Sequence, residues 1–201
     1  GVAPQEVDDA LRDLGFPMGP LRVLDTVGLD VAGHVAESLA PLFEGRSGDP
    51  RIGDVLVEEG ELGEKSGRGL FVKKGRRRIP SPSLDARLEE ARRRRGRGTV
   101  RVEPAEVRDR PFLLMLAESA RAFAERLVED PRDFDAAMVF GTGFPPNLGG
   151  PLREIDRRGA ASVVERLREL SARYGPRFEP GEDLEERART GAEFHPREPA
   201  S

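Results

Sequence analysis

The chain repeats itself, and this limits what it can fold into more than any other feature of its sequence. Gly19-Pro20-Leu21-Arg22-Val23-Leu24-Asp25-Thr26-Val27-Gly28 lies on Gly150-Pro151-Leu152-Arg153-Glu154-Ile155-Asp156-Arg157-Arg158-Gly159 without a gap. Six of the ten positions are identical, and Leu24 faces Ile155. Upstream, Phe16-Pro17 matches Phe144-Pro145, each after a glycine. Further back, Pro4-x-x-Val7-Asp8-x-Ala10 matches Pro131-x-x-Phe134-Asp135-x-Ala137. Such self-similarity points to two copies of one small unit. The copies are expected over residues 1–74 and 104–195, with 75–103 a basic linker carrying a short helix and 196–201 a tail.

Each copy reads as helices. Pro4 suits a first helical position and leads Val7, Leu11 and Leu14 to a stop at Gly15. Pro20 opens a short helix that ends by Gly28, expected in a left-handed cap conformation. Asp30 is placed to cap the next helix, on which Val31, Val35, Leu39, Leu42 and Phe43 form one apolar stripe. A short helix is expected from Arg51 to Glu59, stopped by Gly60. In the second copy, apolar residues at 112, 116, 120, 123 and 127 share one helix face, and further helices fall near 132–139, 151–157, 161–174 and 182–189. The first copy has only Gly1-Val2-Ala3 where that leading helix would lie, so a segment N-terminal to Gly1 is expected. Only Gly69-Leu70-Phe71-Val72 looks extended. The fold class expected is all-α, a tandem pair of small helical bundles.

Charge and composition exclude several functions. No cysteine is present, which removes disulfide scaffolds, thiolate metal sites and a cysteine nucleophile. No apolar run is long enough to span a bilayer, and no signal-peptide pattern opens the chain, so a cytoplasmic protein is expected. Of the 33 basic residues all but Lys65, Lys73 and Lys74 are arginine, and the net charge of −4 gives no global attraction for polyanions. Residues 73–98 nevertheless carry 11 Lys or Arg against 3 acids. The run Arg92-Arg93-Arg94-Arg95-Gly96-Arg97 could hold phosphates, but it has no aromatic residue for base stacking, and a solvated connector or contact with an acidic face of the same protein is the better reading. Ser83 is placed to cap a helix containing Leu84, Leu88 and Ala91.

Several patterns that look chemical fail on inspection. Gly141-Thr142-Gly143 resembles the start of a dinucleotide loop, yet Pro145 and Pro146 stand where the helix should begin, and a helical pattern precedes it. Gly63-Glu64-Lys65-Ser66-Gly67-Arg68-Gly69 puts a carboxylate where a phosphate loop requires glycine. It is read as a tight turn presenting Lys65, Ser66 and Arg68 to solvent or to an anionic ligand. His34 has Asp30 and Glu37 about one turn away and reads as a satisfied surface histidine. His195 lies in a Pro-rich tail. Gly15-Phe16-Pro17-Met18-Gly19-Pro20 is sharper: proline extends its predecessor and glycine permits close approach, so Phe16 and Met18 sit on a stiff loop before a helix. Such a loop can line a site for an acyl chain or simply pack helices.

Taken together, Gly15-Phe16-Pro17-Met18-Gly19-Pro20-Leu21, Leu24-Asp25-x-x-Gly28-Leu29-Asp30-Val31, Leu62-Gly63-x-Lys65-Ser66-Gly67-Arg68-Gly69-Leu70-Phe71, Gly143-Phe144-Pro145-Pro146-x-x-Gly149-Gly150-Pro151 and Tyr174-Gly175-Pro176-Arg177-Phe178-x-Pro180 resemble the C-terminal helical region of 3-hydroxyacyl-CoA dehydrogenases. The duplicated form in the multifunctional α-subunit of fatty-acid β-oxidation is the nearest likeness. The resemblance implies a parent enzyme in which a separate Rossmann domain binds NAD and carries a catalytic His-Glu pair. It implies no catalytic residue and no bound cofactor or metal in this chain. The family's Asn-Arg appears in the second copy as Asp109-Arg110, without the asparagine.

By the same resemblance Phe16, Pro17, Met18 and Pro20 line the acyl substrate, and Lys65, Ser66 and Arg68 form a glycine-rich turn. The expected function is the substrate-side and self-association region of an oxidoreductase of lipid metabolism. Its partners would be acyl-CoA and a missing Rossmann domain, with no membrane or nucleic acid, and the isolated chain would be inactive. The alternative is a stand-alone helical interaction module without enzymatic activity.

Overall fold

Proline at the first helical position sets the layout. The computed structural model describes residues 2–43, 46, 53–94, 96 and 102–196, and among these Pro4, Pro20, Pro104, Pro131 and Pro151 each open a helix. Proline has no N–H to leave unpaired there, and its fixed φ suits the first turn. The chain divides into two compact units. The first comprises Gly1–Asp13 and Met18–Val107, the second Leu14–Pro17 and Arg108–Ser201.

In the first unit run α1 (Pro4–Arg12), α2 (Pro20–Val27), α3 (Leu29–Leu39), α4 (Asp54–Glu58), the strands β1 (Phe71–Lys74) and β2 (Arg77–Pro80), and α5 (Leu84–Arg94). Leu29, Leu56, Leu70, Phe71 and Leu84 form its core, with Leu21, Leu24, Val57 and Leu88 packed against them. Residues 84–94 therefore belong to this core rather than to a free connector. α5 turns Leu84 and Ala91 inward and its arginines outward, where Arg87 pairs with Glu59, Arg92 with Glu89, and Arg94 with Glu58 and Glu90. Within the basic run Arg92 and Arg94 thus meet acids of the same unit, while the Arg93 side chain is exposed and makes no ion pair or hydrogen bond among the described residues. Arg95 and Arg97 lie outside the described residues, as do Arg51 and Ile52 of the helix expected at 51–59.

Three local expectations are corrected. The extended stretch at Gly69–Val72 is the first arm of an antiparallel hairpin, Phe71 opposite Pro80 and Lys74 opposite Arg77. Its second arm, two arginines and a proline around a single β-branched residue, Ile79, lacks the run of β-branched or aromatic residues that marks a strand. Gly28 has φ 107° and ψ 129°, which is not the left-handed helical cap. It ends α2 and caps the start of α3 at once, leaving no loop between them. Asp30 is consequently a first-turn residue of α3, not its cap. The α3 stripe forms as expected, but its side chains face outward: Val31, Val35, Leu39 and Leu42 are 40 to 70% exposed, and Leu29 is the helix's one buried residue.

In the second unit are most of α6 (Pro104–Ala124), then α7 (Pro131–Thr142), α8 (Pro151–Arg158), α9 (Ala160–Tyr174) and α10 (Glu182–Thr190). Pro111 stands inside α6 without ending it. An interior proline costs about 3 kcal/mol, against which Phe112, Leu113 and Leu116 bury themselves almost completely. The expected face of α6 holds through Phe123 and fails at Leu127, which is 72% exposed, because the helix ends at Ala124 and Arg126 takes a φ of 57°. Gly159, like Gly28, both ends one helix and caps the next. No helix among the described residues is long and apolar enough to cross a membrane.

Candidate functional site

Four aspartates, three of them buried, organise the segments that carry the sequence motifs. In the first unit the α2 N-terminus has Gly19 as its cap and no capping side chain of its own. Asp8 of α1 supplies the missing acceptor: its two oxygens take the backbone N–H groups of Leu21 and Arg22 at 2.8 and 3.0 Å. In the second unit Asp135 of α7 does the same for Leu152 and Arg153 of α8, at 2.8 and 2.9 Å. Helix N-termini favour negative charge. Burial nonetheless pushes the carboxyls of Asp8 and Asp135 above the ordinary aspartate value, against the lowering effect of those N–H groups.

Asp25, fully buried near the end of α2, accepts from the backbone N–H groups of Leu70 and Phe71 at 2.8 and 3.4 Å. Burial raises its carboxyl too. Its second oxygen faces the Arg22 and Arg78 guanidiniums at 4.0 and 3.7 Å. Both arginines also reach Glu64, at 2.6 and 3.1 Å, and Thr26 donates to the same carboxylate at 3.0 Å. This explains why the turn at 63–69 is rich in glycine. A Cβ at Gly63 would meet the Asp25 carbonyl oxygen, and one at Gly69 the Asp25 carboxylate.

The turn residues Lys65, Ser66 and Arg68 come close in space, but they face different ways. Lys65 is tied to Asp30, with Nζ 2.7 Å from Oδ2, and this hydrogen bond draws the Asp30 carboxyl below its ordinary value. Ser66 closes the turn, its hydroxyl accepting from the Leu62 N–H at 2.9 Å and donating to the Arg68 carbonyl at 2.7 Å. The Arg68 side chain is exposed and makes no ion pair or hydrogen bond among the described residues. Of the loop expected to line a substrate, Phe16 is half-buried edge-on against Phe144 and Phe112, with ring centroids 5.7 and 6.4 Å apart. Pro17 is exposed in the same unit. In the first unit Met18 is 40% exposed and Pro20 half-buried at the head of α2.

His195 departs most from its reading as a tail residue. It is 8% exposed, with Nδ1 3.0 Å from Asp156 Oδ2 and Nε2 3.2 Å from Asp135 Oδ2. Asp156 also accepts from the backbone N–H groups of Phe194 and His195, at 2.8 and 2.9 Å. Phe194 packs on Phe123 and under Arg187. The repeat alignment had already set Asp156 against Asp25, which was the one signal in the sequence that this segment is held down. Beside them Glu154 is fully buried. Burial opposes its charge, but hydrogen bonds from Arg157 and Arg158 outweigh that and lower its carboxyl below the ordinary value. His34 is exposed, its Nδ1 2.8 Å from the Asp30 carbonyl oxygen.

These carboxylates spend their oxygens on backbone N–H groups and arginines, which is scaffold chemistry rather than acid–base work on a ligand. The Gly141-Thr142-Gly143 segment closes α7, with Gly143 in the left-handed conformation at its C-terminus. A pyrophosphate needs the opposite, positive end of a helix. That loop therefore does not fit NAD.

Residues 1–73 match the family model described as the 3-hydroxyacyl-CoA dehydrogenase C-terminal domain. The chain is 34% identical over 190 residues to the fatty acid oxidation complex subunit alpha of Vibrio vulnificus, a match covering 94% of this chain and 26% of the relative. It is 35% identical over 200 residues to the same subunit of Vibrio cholerae, covering 98% and 27%. The chain thus spans about a quarter of the length of these curated relatives. Among solved structures, 3-hydroxybutyryl-CoA dehydrogenase from Escherichia coli shares its fold with a TM-score of 0.70 at 23% identity, covering 94% of this chain and 55% of that one. The dehydrogenase part of multifunctional enzyme 1 from C. elegans gives 0.64 at 20%, covering 92% and 42%. Residues 1–73 are thus similar to the 3-hydroxyacyl-CoA dehydrogenase C-terminal domain, and nearly the whole chain is similar to about a quarter of the fatty acid oxidation complex subunit alpha.

Proposed function

We propose that this chain forms the substrate side of an NAD-dependent 3-hydroxyacyl-CoA dehydrogenase of fatty-acid β-oxidation. The hydride acceptor and the base that takes the hydroxyl proton would reside in another domain of the parent enzyme. The observation that carries this reading is that two segments resembling the family, which end at Leu21 and Phe71, are held at those ends by Asp8 and Asp25. On this reading Phe16, Pro17, Met18 and Pro20 face the acyl chain. The two units derive from one duplicated ancestor, supported by the shared roles of Asp8 with Asp135 and of Asp25 with Asp156. Reaction requires acceptor, base and thioester to be brought together with water excluded, and a helical cover serves the last of these.

The test has two arms. Alone, the chain is expected to show no turnover and no NAD binding in calorimetry. Joined to a nucleotide-binding domain of this family, in place of that enzyme's own helical region, it is expected to restore oxidation of a 3-hydroxyacyl-CoA. Tight NAD binding by the 201 residues, or a folded but inactive fusion, would count against the proposal.

One observation favours a second reading, an interaction module without activity. The outward stripe of Val31, Val35, Leu39 and Leu42 on and after α3 is an uncovered apolar face among the described residues, and such faces mark association surfaces. A module of this kind would associate through that face and leave the fusion enzyme inactive.

A further inference from the structure

The hairpin formed by β1 and β2 breaks a rule that hairpins ordinarily obey. Lys74 stands directly opposite Arg77, and Lys73 opposite Arg78. Like charges on facing positions of an antiparallel pair destabilise it. Of these cations Arg78 alone is neutralised, by Glu64 and Asp25. Lys73, Lys74, Arg76 and Arg77 are all exposed and have no ion pair or hydrogen bond among the described residues. The contrast with α5 is direct, because Arg87, Arg92 and Arg94 there all meet glutamates. Among the described residues the hairpin thus carries four such cations, against Arg93 alone in the described part of the arginine run.

The tip is also firmly mounted. Phe71 at the base of β1 is buried, with the Arg22 guanidinium 5.7 Å from its ring centroid, and Asp25 holds the Phe71 N–H. Lys74 and Arg77 then project beyond this anchor on either side of the Gly75-Arg76 turn. Lys74 and Arg77 lie about 5 Å apart on one face of the hairpin with Arg76 in the turn beside them, while Lys73 points to the opposite face, so the tip presents three cations on the scale of a diphosphate. A nucleic acid fits less well: the only aromatic residue of the hairpin is the buried Phe71, and the chain's net charge of −4 repels an extended polyanion.

We propose that the tip of this hairpin, through Lys74, Arg76 and Arg77, binds the diphosphate of the CoA half of the substrate. This rests on the functional reading given above and adds to it where the nucleotide end of the thioester is held. The repulsion within the hairpin is then relieved when the phosphates arrive, so the same residues that weaken the free hairpin strengthen the bound one.

Calorimetric titration of the 201-residue chain with CoA, and separately with inorganic pyrophosphate, tests this at low salt. Both are expected to bind, CoA more tightly, and both to weaken as salt screens the contacts. Replacing Lys74, Arg76 and Arg77 by glutamine is expected to weaken CoA binding about tenfold or more. The melting temperature should hold or rise, because the facing like charges of Lys74 and Arg77 are gone. Should that variant fold poorly, Arg77→Gln alone keeps the test, with a smaller loss of affinity in the same direction. Unchanged CoA affinity in folded variants, no CoA binding by the unaltered chain, or tighter binding of a short DNA duplex than of CoA would each overturn the proposal. An active fusion enzyme whose KM for the thioester ignores these three residues would remove the hairpin's role and leave the functional reading intact. CoA binding through the hairpin together with an inactive fusion would do the reverse.

Discussion

Removal of the Asp8 carboxylate is expected to destabilise the first unit by about 2 kcal/mol. The side chain is 3% exposed and accepts two backbone N–H groups at the start of α2, a helix with no capping side chain of its own. Hydrogen bonds to a charged group contribute roughly 1.5–3 kcal/mol each. Burial outweighs these bonds in setting the carboxyl's charge, raising it above the ordinary aspartate value, which cuts each bond to about 1 kcal/mol, and water can reach the partly exposed Leu21 and Arg22 once the side chain is gone. A net loss near 2 kcal/mol lowers the melting temperature of a unit of this size by on the order of 10 °C. Asp8→Asn is the sharper variant. Its single acceptor oxygen keeps one N–H, while its amide turns a donor toward the other, so it should lose nearly as much as Asp8→Ala. Urea unfolding followed by circular dichroism measures both. A loss below about 0.5 kcal/mol for alanine, or an asparagine variant as stable as the parent, would show that the carboxylate does not cap α2.

Other outcomes follow from the same geometry. Gly69→Ala drives a methyl group into the Asp25 carboxylate and should cost about 3 kcal/mol or more, read as loss of the first unit's unfolding transition; wild-type stability would contradict the close packing. His195→Ala leaves Asp135 and Asp156 without their shared imidazole and should speed hydrogen exchange at Phe194 and His195, with the α9 amides unchanged. Glu154 has a lowered carboxyl, so its contribution is complete above its unfolded value near 4.5 and is lost as pH falls through the lower folded value. Glu154→Gln should therefore flatten the acid limb of a stability–pH curve below pH 4.5, and an unaltered limb would remove Glu154 from it. Val35→Glu on the outward stripe should abolish any concentration-dependent association seen by sedimentation while leaving the melting temperature within about 1 °C.

What could be read from the sequence divides along physical lines. The helices announced themselves because proline starts and glycine stops are local signals: Pro20 to Gly28 and Pro151 to Gly159 came out as written. The alignment that paired Asp8 with Asp135 and Asp25 with Asp156 held the key to the scaffold, but a buried carboxylate looks like an exposed one until its N–H partners, 13 to 46 positions away, are known. Strand β2 was missed because Arg77 and Arg78 owe their extended form to pairing with β1 and to the Asp25–Glu64 pair. The outward turn of the α3 stripe was equally hidden, since helical period says which residues share a face and not whether anything covers it. His195 read as a tail for the same reason: proline-rich sequence predicts an irregular backbone, and irregular backbone can still be pinned by a well-placed acceptor.

The single-glycine joints at Gly28 and Gly159 carry an evolutionary consequence. Where no linker separates two helices, a one-residue insertion or deletion turns everything downstream by about 100° about the second axis. At Gly28 that would turn the stripe of Val31, Val35 and Leu39 as a body to another side and swing Asp30 away from Lys65. Length variation among relatives should accordingly be absent at these two elbows and gather in stretches that can absorb it, so that a family-wide census of gaps would map the rigid corners of the molecule.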